Sequence, residues 1–228
     1  MSAFFVTGSG TDIGKTFVAA ALIHEMRRRG RLVTALKPVA SGFDPARAAA
    51  SDPGILLAAL GEMPTPAAFD LIAPWRFHAS LSPDMAASRE GRVIDFATLV
   101  GHSRQAIASA TGTLLIEGVG GVMVPLDESH TVLDWIDALR IPAIVVTGSY
   151  LGAISHALSA LDALDNRGLA VAALVVNETL HSSVALDETA ATIARFTGDV
   201  PVVKLARLTQ ASQPYPAIGQ LTELLDRF

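Results

Sequence analysis

Apolar and polar positions along this chain alternate between two periods. Residues 3–7 form a short β-prone run, apolar on both faces and stopped by Gly8, the pattern of a buried parallel strand. A loop of Gly, Ser, Thr and Asp follows. Over residues 14–29 the period becomes helical: Val18, Leu22 and Met26 recur four apart as one stripe, and Gly30 ends it. Residues 32–37 read as a second strand, halted by Pro38. The stretch 44–74 is less regular, with several prolines and an Ala/Leu helix around 53–60. Ser82-Pro83 reads as an N-cap with proline at the first helical position.

Further along, helices are predicted over 95–110, 131–139, 151–166 and 184–197, with a short one at the C-terminus. Strands are predicted over 113–117, 141–147, 169–177 and 200–205. This strand–helix alternation predicts an α/β fold: a mostly parallel central sheet with helices on both faces. Right-handed crossovers then place ligands beyond the carboxyl ends of the strands. No repeat, linker or low-complexity segment interrupts the pattern, so one domain over 1–228 is expected.

Composition narrows the function. The chain has 228 residues, 50% of them hydrophobic, enough for one sizeable core. A formal charge of −5 gives no sign of a nucleic-acid or anionic-membrane partner. The basic run Arg27 to Arg29 sits where cations complement a helix C-terminus. With no cysteine, disulfides and thiolate chemistry are excluded, and a cytoplasmic location is expected. The N-terminus opens on an apolar strand without a basic region, unlike a signal peptide. No apolar run nears the roughly 20 residues that span a bilayer.

The sharpest chemical signal is Gly8-Ser9-Gly10-Thr11-Asp12-Ile13-Gly14-Lys15-Thr16, between a strand and a helix. That is the context of a phosphate-binding loop, and with it the expected α/β fold becomes P-loop NTPase-type. Glycines let backbone N–H groups turn inward on phosphate oxygens, and the helix N-terminus adds partial positive charge. Lys15 reaches the terminal phosphates, and the Thr16 hydroxyl suits Mg²⁺. Five residues separate Gly8 from Gly14, one more than the usual four, and Ser9 holds the strict first position.

Other candidates cluster at predicted strand ends. Glu117 follows Thr113-Leu114-Leu115-Ile116 and precedes Gly118-Val119-Gly120-Gly121. A buried carboxylate there needs a partner, and a metal ion would serve; the other reading is an exposed strand-end glutamate. Asp52, before Pro53, reads equally as a metal ligand or a helix cap. Lys37 opens Lys37-Pro38-Val39-Ala40-Ser41-Gly42 and reads equally as a surface lysine or as a charge facing a transferred phosphoryl group. Asn177 reads as a base contact or a turn cap. The six histidines lack metal-ligand spacing. Ser9, His78 and Asp84 make a triad only on paper, without a nucleophile elbow. Asp134-Trp135 reads as helix and core.

Together these residues resemble the dethiobiotin synthetases. The resemblance rests on the lengthened loop Gly8 to Thr16, on Lys37 to Gly42, on Glu117 to Gly121 and on Val176-Asn177-Glu178, in order and spacing over about residues 4–208. It implies an ATP- and Mg²⁺-dependent ligase that converts 7,8-diaminopelargonic acid and CO₂ into dethiobiotin through a carbamate and a carbamic–phosphoric anhydride. It further implies nucleotide contacts from Thr11, Asp12, Ile13, Gly14, Lys15, Thr16 and Phe17, from Gly118, Val119 and Gly120, and from Asn177, Glu178, Ala206, Arg207 and Leu208. Thr16, Asp52 and Glu117 become the metal ligands, Asp52 and Glu117 also belonging to the nucleotide site. Lys37 and Lys15 become the catalytic lysines. Substrate contacts fall to Thr11, Lys37, Ser41, Gly152, Ala153 and Ile154. The last three start a helix that receives the distal carboxylate near the interface of a homodimer.

Several positions depart from the resemblance. Gly10 replaces an acidic residue, Asp12 stands for glutamate, and Ser155 for asparagine. Ala206-Arg207-Leu208 replaces a proline-containing adenine loop. Two other classes compete. One is an amidotransferase-type cobyrinic acid diamide synthetase, but a single domain without a glutaminase is expected here. The other is a partitioning ATPase, but its signature lysine would fall at Gly10.

Overall fold

The structure is a computed structural model and describes residues 2–207 and 215–228. Strand β1 (Ser2–Gly8) leads through the phosphate loop into α1 (Lys15–Arg28), and β2 (Val33–Leu36) follows. The irregular middle contains a two-residue strand β3 (Val39–Ala40), a 3₁₀ segment Pro45–Ala50, helices α2 (Asp52–Leu60) and α3 (Pro66–Ile72), and a two-residue strand β4 (Trp75–Arg76). Then come α4 (Pro83–Arg89), α5 (Phe96–Ser109) and β5 (Thr113–Glu117). The second half alternates: α6 (Val132–Leu139), β6 (Ala143–Gly148), α7 (Ala153–Asp165), β7 (Val171–Asn177), α8 (Leu186–Ala194), β8 (Val202–Leu205) and α9 (Pro216–Leu225).

Six strands form one sheet in the order β2-β5-β1-β6-β7-β8. Every neighbouring pair in it is parallel. The order has a direct consequence for the site. Because β5 slots between β1 and β2, its last residue, Glu117, lies between the phosphate loop that follows β1 and Lys37 that follows β2. Three segments remote in sequence therefore meet at one edge, beyond the strands' carboxyl ends, where open α/β sheets bind ligands.

Period-two alternation sorts the strand residues onto two cores. Phe5, Leu114, Ile116, Val145, Leu174 and Val176 face one side with Trp135 of α6. Phe4, Val6, Leu115, Ile144, Val146 and Val175 face the other, against the Val18–Leu22–Met26 stripe of α1. Trp135 packs edge-on against Phe5 at 4.8 Å, and its indole N–H donates to Ser103 Oγ at 3.1 Å. The expected core role of this tryptophan thus includes a buried polar bond.

The middle of the chain differs from its sequence reading. The helix α3 was not anticipated, and neither was the parallel β3–β4 pair, Val39 with Trp75 and Ala40 with Arg76. Two-residue strands carry no periodicity, and their partners lie far apart in sequence. Thr65 caps α3 through a bond from Ala68 N–H, with Pro66 at the first helical position. Ser82 holds the N-cap position of α4, but its hydroxyl donates to Asp84 at 2.5 Å instead of accepting from the backbone. The basic run does more than complement a helix end. Arg27 donates to the Ala59 carbonyl at 2.7 Å, while Arg28 and Arg29 converge on Glu25, which is 6% exposed.

Candidate active site

The phosphate loop is held from two sides, by β6 and by the segment after β5. Ser9 N–H donates to the Val146 carbonyl at 2.9 Å, and its hydroxyl pairs with that of Thr147 at 2.8 Å. On the β5 side, Val122 N–H donates to the Gly8 carbonyl at 3.1 Å. The turn Gly118-Val119-Gly120-Gly121 lies so near that a Cβ on Gly121 would stand 3.2 Å from Gly10 N. Asp12 turns through the left-handed region, φ +56°, a conformation aspartate tolerates better than most residues. Gly14 follows at φ +95° and starts α1 with no side chain capping its first N–H groups, the arrangement that receives an anion. Lys15 folds across the loop and donates to the Gly10 carbonyl at 2.7 Å. Burial, then the charge of Lys37, lowers its pKa from 10.5 to about 8.

Next to the loop lies a buried charge cluster. Glu117 is 1% exposed and Lys37 2%, so neither is the solvent-facing strand-end residue that the sequence also allowed. Glu117 Oε1 accepts from the Thr16 hydroxyl at 2.7 Å and from the Lys37 ammonium at 2.8 Å. Glu117 Oε2 is buried without a partner. Lys37 also donates to the Gly118 carbonyl at 2.6 Å and lies 3.4 Å from Asp52 Oδ2. Burial opposes the charge on Lys37, but Glu117 and Asp52 outweigh it and raise its pKa. Asp52 is not the cap of α2. Ser51 takes that position, accepting from Gly54 N–H at 3.4 Å, which leaves the Asp52 carboxylate to Lys37.

These groups line a cavity of about 700 Å³. Thr11, Asp12, Gly14, Lys15 and Thr16 form its floor, with Lys37, Ser41, Asp52, Glu117, Val119 and Gly120 around them. Lys15 and Lys37 thus share one space. Its remaining wall, Ser80, Leu81, Ser82, Pro83 and Val124, did not stand out in the sequence as part of a site. The chain places that wall by returning alongside Ser41: Gly42 N–H donates to the Ala79 carbonyl at 3.0 Å and Phe43 N–H to Phe77 at 2.9 Å. A serine-rich stretch just before a proline-started helix was the available signal, and it was legible only as a helix start.

Other predicted residues lie outside the cavity lining. Asn177 amide donates to the Ile13 carbonyl at 3.0 Å, beside Gly14. Glu178 accepts from Arg207 N–H at 2.7 Å, and its own N–H donates to the Leu205 carbonyl at 2.9 Å, so Asn177, Glu178 and the 206–207 segment gather beyond β7 and β8. Leu208 lies outside the described residues. Phe17 is partly exposed and meets Tyr215 edge-on at 5.6 Å. Gly152, Ala153 and Ile154 open α7 away from the cavity, and Ile154 borders a separate groove beside Glu188 of α8. Among the described residues, no cluster of three His, Cys, Asp or Glu side chains is arranged for a metal.

A phosphate loop on the central strand of a parallel sheet, with a hydroxyl, two lysines and a buried carboxylate at adjoining strand ends, defines a P-loop NTPase-type protein. Solved structures agree on the fold. The MinC:MinD cell division complex of Aquifex aeolicus aligns with TM-score 0.60 at 10% identity, covering 100% of this chain and 95% of that one. HypB from Helicobacter pylori, in complex with nickel, aligns with TM-score 0.55 at 12% identity, covering 100% and 86%. A family model described as an AAA domain matches residues 2–216.

Sequence relatives are more specific. The ATP-dependent dethiobiotin synthetase BioD of Acidiphilium cryptum is 52% identical over 88% of this chain and 91% of its own. The protein of the same name from Methylobacterium nodulans is 50% identical over 91% and 94%, and that of Pseudomonas aeruginosa 36% identical over 95% and 93%. The chain belongs to the ATP-dependent dethiobiotin synthetase family.

Proposed function

We propose that this chain is an ATP- and Mg²⁺-dependent cyclo-ligase that makes dethiobiotin from 7,8-diaminopelargonic acid and CO₂, releasing ADP and phosphate. The observation that carries this reading is the shared cavity of Lys15 and Lys37, bordered by Thr11, Thr16, Ser41 and Glu117. The reaction must bring two anions together, a polyphosphate and a carbamate, and two ammonium groups in one pocket offset that repulsion. One amine of the acceptor takes up CO₂ as a carbamate. A carbamate oxygen attacks the γ-phosphorus, ADP leaves, and a carbamic–phosphoric anhydride remains. The second amine attacks the carbonyl carbon, expels phosphate and closes the cyclic urea. The chain's task is positioning and charge neutralisation rather than covalent catalysis.

Roles divide by position. Lys15 and the uncapped N–H groups of α1 hold the phosphates. Lys37 faces the carbamate and the γ-phosphate, and Ser41 and Thr11 orient the acceptor. Asn177, Glu178, Ala206 and Arg207 form the base end of the nucleotide site. The metal site fits the residues present: one hydroxyl and two carboxylates are an all-oxygen set, and the orphaned Glu117 Oε2 is an acceptor awaiting a cation. Thr16, Asp52 and Glu117 would hold Mg²⁺ there, and it would neutralise polyphosphate charge. The set is too small to enclose a metal, as expected where nucleotide oxygens complete the shell.

Gly152, Ala153 and Ile154 open α7 without a side-chain cap. They would receive the acceptor's distal carboxylate from the cavity of a second copy, within a homodimer. A cytoplasmic place fits the absence of cysteine, and among the described residues no helix is long and apolar enough to cross a membrane. The test is direct. Purified protein is mixed with diaminopelargonate, bicarbonate, Mg²⁺ and ATP, and dethiobiotin is sought by mass. ATP consumption that does not depend on the diamine, with no product of that mass, would overturn the reading.

A further inference from the structure

The Lys37 ammonium, proposed above to face the acceptor, is already committed within this site. It touches Glu117 Oε1 at 2.8 Å and the Gly118 carbonyl at 2.6 Å, and it lies 3.4 Å from Asp52 Oδ2. Glu117 and Asp52 are the carboxylates assigned to the metal. A lysine ammonium is a compact cation, and here it makes two hydrogen bonds and one ion-pair contact. Lys37 is 2% exposed and Glu117 1%, so their charges neutralise each other with little help from solvent. The same Glu117 oxygen also receives the Thr16 hydroxyl, the third proposed metal ligand. One ammonium therefore stands against the donor set a divalent ion would use.

We propose that Lys37 is the counter-cation of the metal carboxylates in the free site, and that it leaves this position for the acceptor side of the cavity when a divalent ion takes its place. The inference rests on the metal-site reading above. A divalent ion held by the free Glu117 Oε2 and by Asp52 would stand within a few ångströms of the Lys37 ammonium, which touches Glu117 Oε1 and the same Asp52. The repulsion of two such close cations makes lysine and metal compete. The competition couples two events. Lys37 is released toward Ser41 and the acceptor only once metal and nucleotide are loaded. Before that it keeps a buried carboxylate neutralised, which such a group requires.

The experiment reads metal binding rather than turnover. Mn²⁺ serves as a visible stand-in for Mg²⁺, and free Mn²⁺ is followed by electron paramagnetic resonance during titration. The proteins are the full wild-type chain, Lys37→Met, Lys37→Gln and Glu117→Gln, each with and without ADP. Lys37→Gln keeps a donor toward Glu117 and Gly118 without the charge, so the test survives if Lys37→Met does not fold. Without nucleotide, both Lys37 variants should bind Mn²⁺ about tenfold or more tightly than wild type. Glu117→Gln should bind more weakly. If the Lys37 variants bind no tighter than wild type while Glu117→Gln loses the Mn²⁺ held with ADP, the exchange is overturned and the metal site stands. If no protein binds Mn²⁺ even with ADP, the metal reading falls and the exchange falls with it.

Discussion

Asn177 lies over Gly14. Its side-chain nitrogen donates to the Ile13 carbonyl at 3.0 Å and fills the space that a Cβ on Gly14 would need. A residue at the end of β7 thus shapes the turn that opens α1. Two constraints act on Gly14, the clash with Asn177 and a φ of +95° that only glycine adopts freely. Gly14→Ala should therefore weaken ATP binding by about tenfold or more and cost about 2 kcal/mol of stability. Adding Asn177→Ala should recover only part of that loss, because the backbone strain remains. Calorimetry of ATP binding and chemical denaturation check both; full recovery in the double variant would leave the clash as the sole constraint.

Lys37→Ala should separate binding from transfer. ATP binding should stay within a few-fold of wild type, while kcat drops about a hundredfold or more. The variant should also lose about 3 kcal/mol of stability in metal-free buffer, because Glu117 is left buried and unpaired. Steady-state kinetics and urea denaturation measure the two effects. Equal kcat in variant and wild type would remove Lys37 from the transfer step.

Lys15 predicts a pH dependence. Burial and the charge of Lys37 bring its pKa from 10.5 to about 8 in the free protein. Between those values the unfolded chain binds more protons than the native one, so this residue's contribution to stability rises as pH rises from about 8 toward 10.5. A polyphosphate beside Lys15 restores its charge. ATP binding at pH 8 should therefore take up about half a proton, and Lys15→Met should abolish that uptake. Calorimetry in buffers of different ionisation enthalpy reads it directly. The companion Lys15→Ala should abolish turnover, and ATP consumption at the wild-type rate would contradict its role.

Glu25 anchors the far end of α1. Hydrogen bonds from Arg28 come first, burial opposes them, and Arg29 adds to them; the outcome lowers its pKa from 4.5 to about 2. The carboxylate's contribution is therefore fully present above pH 4.5 and lost as pH falls toward 2. Arg28 is largely exposed, so solvent screens part of the gain, and Glu25→Gln should cost only about 1 kcal/mol at neutral pH. Acid-unfolding curves should converge for variant and wild type below the lower value. Curves that stay apart there would place the effect in packing rather than charge.

The long elements were readable from sequence because each repeats a period often enough to be seen. The stripe Val18–Leu22–Met26 and the doubly apolar run of β1 are examples. The loop Gly8 to Thr16 was readable because its chemistry dictates both residue types and spacing. The ambiguity at Lys37, Glu117 and Asp52 was of another kind. Each residue alone suited a bland role, and only the insertion of β5 between β1 and β2 makes them one buried cluster. The wall from Ser80 to Pro83 carries in sequence only the mark of a helix start, because the pairing that aims it, Ala40 with Arg76, spans a long separation through two short strands. Such pairing is a tertiary event with no local trace.

The phosphate loop runs on directly from β1 and is tied by hydrogen bonds to the end of β6 and to the segment after β5. Its curvature is thereby inherited from the sheet. The entropy that a flexible loop would surrender on meeting a triphosphate is surrendered once, when the protein folds. Phosphate capture then discriminates little among nucleotides, since all share the same tail. In the proposed reading selectivity is left to the base end of the nucleotide, at Asn177, Glu178 and the 206–207 segment, and that is where changes in nucleotide preference would evolve without altering phosphate capture.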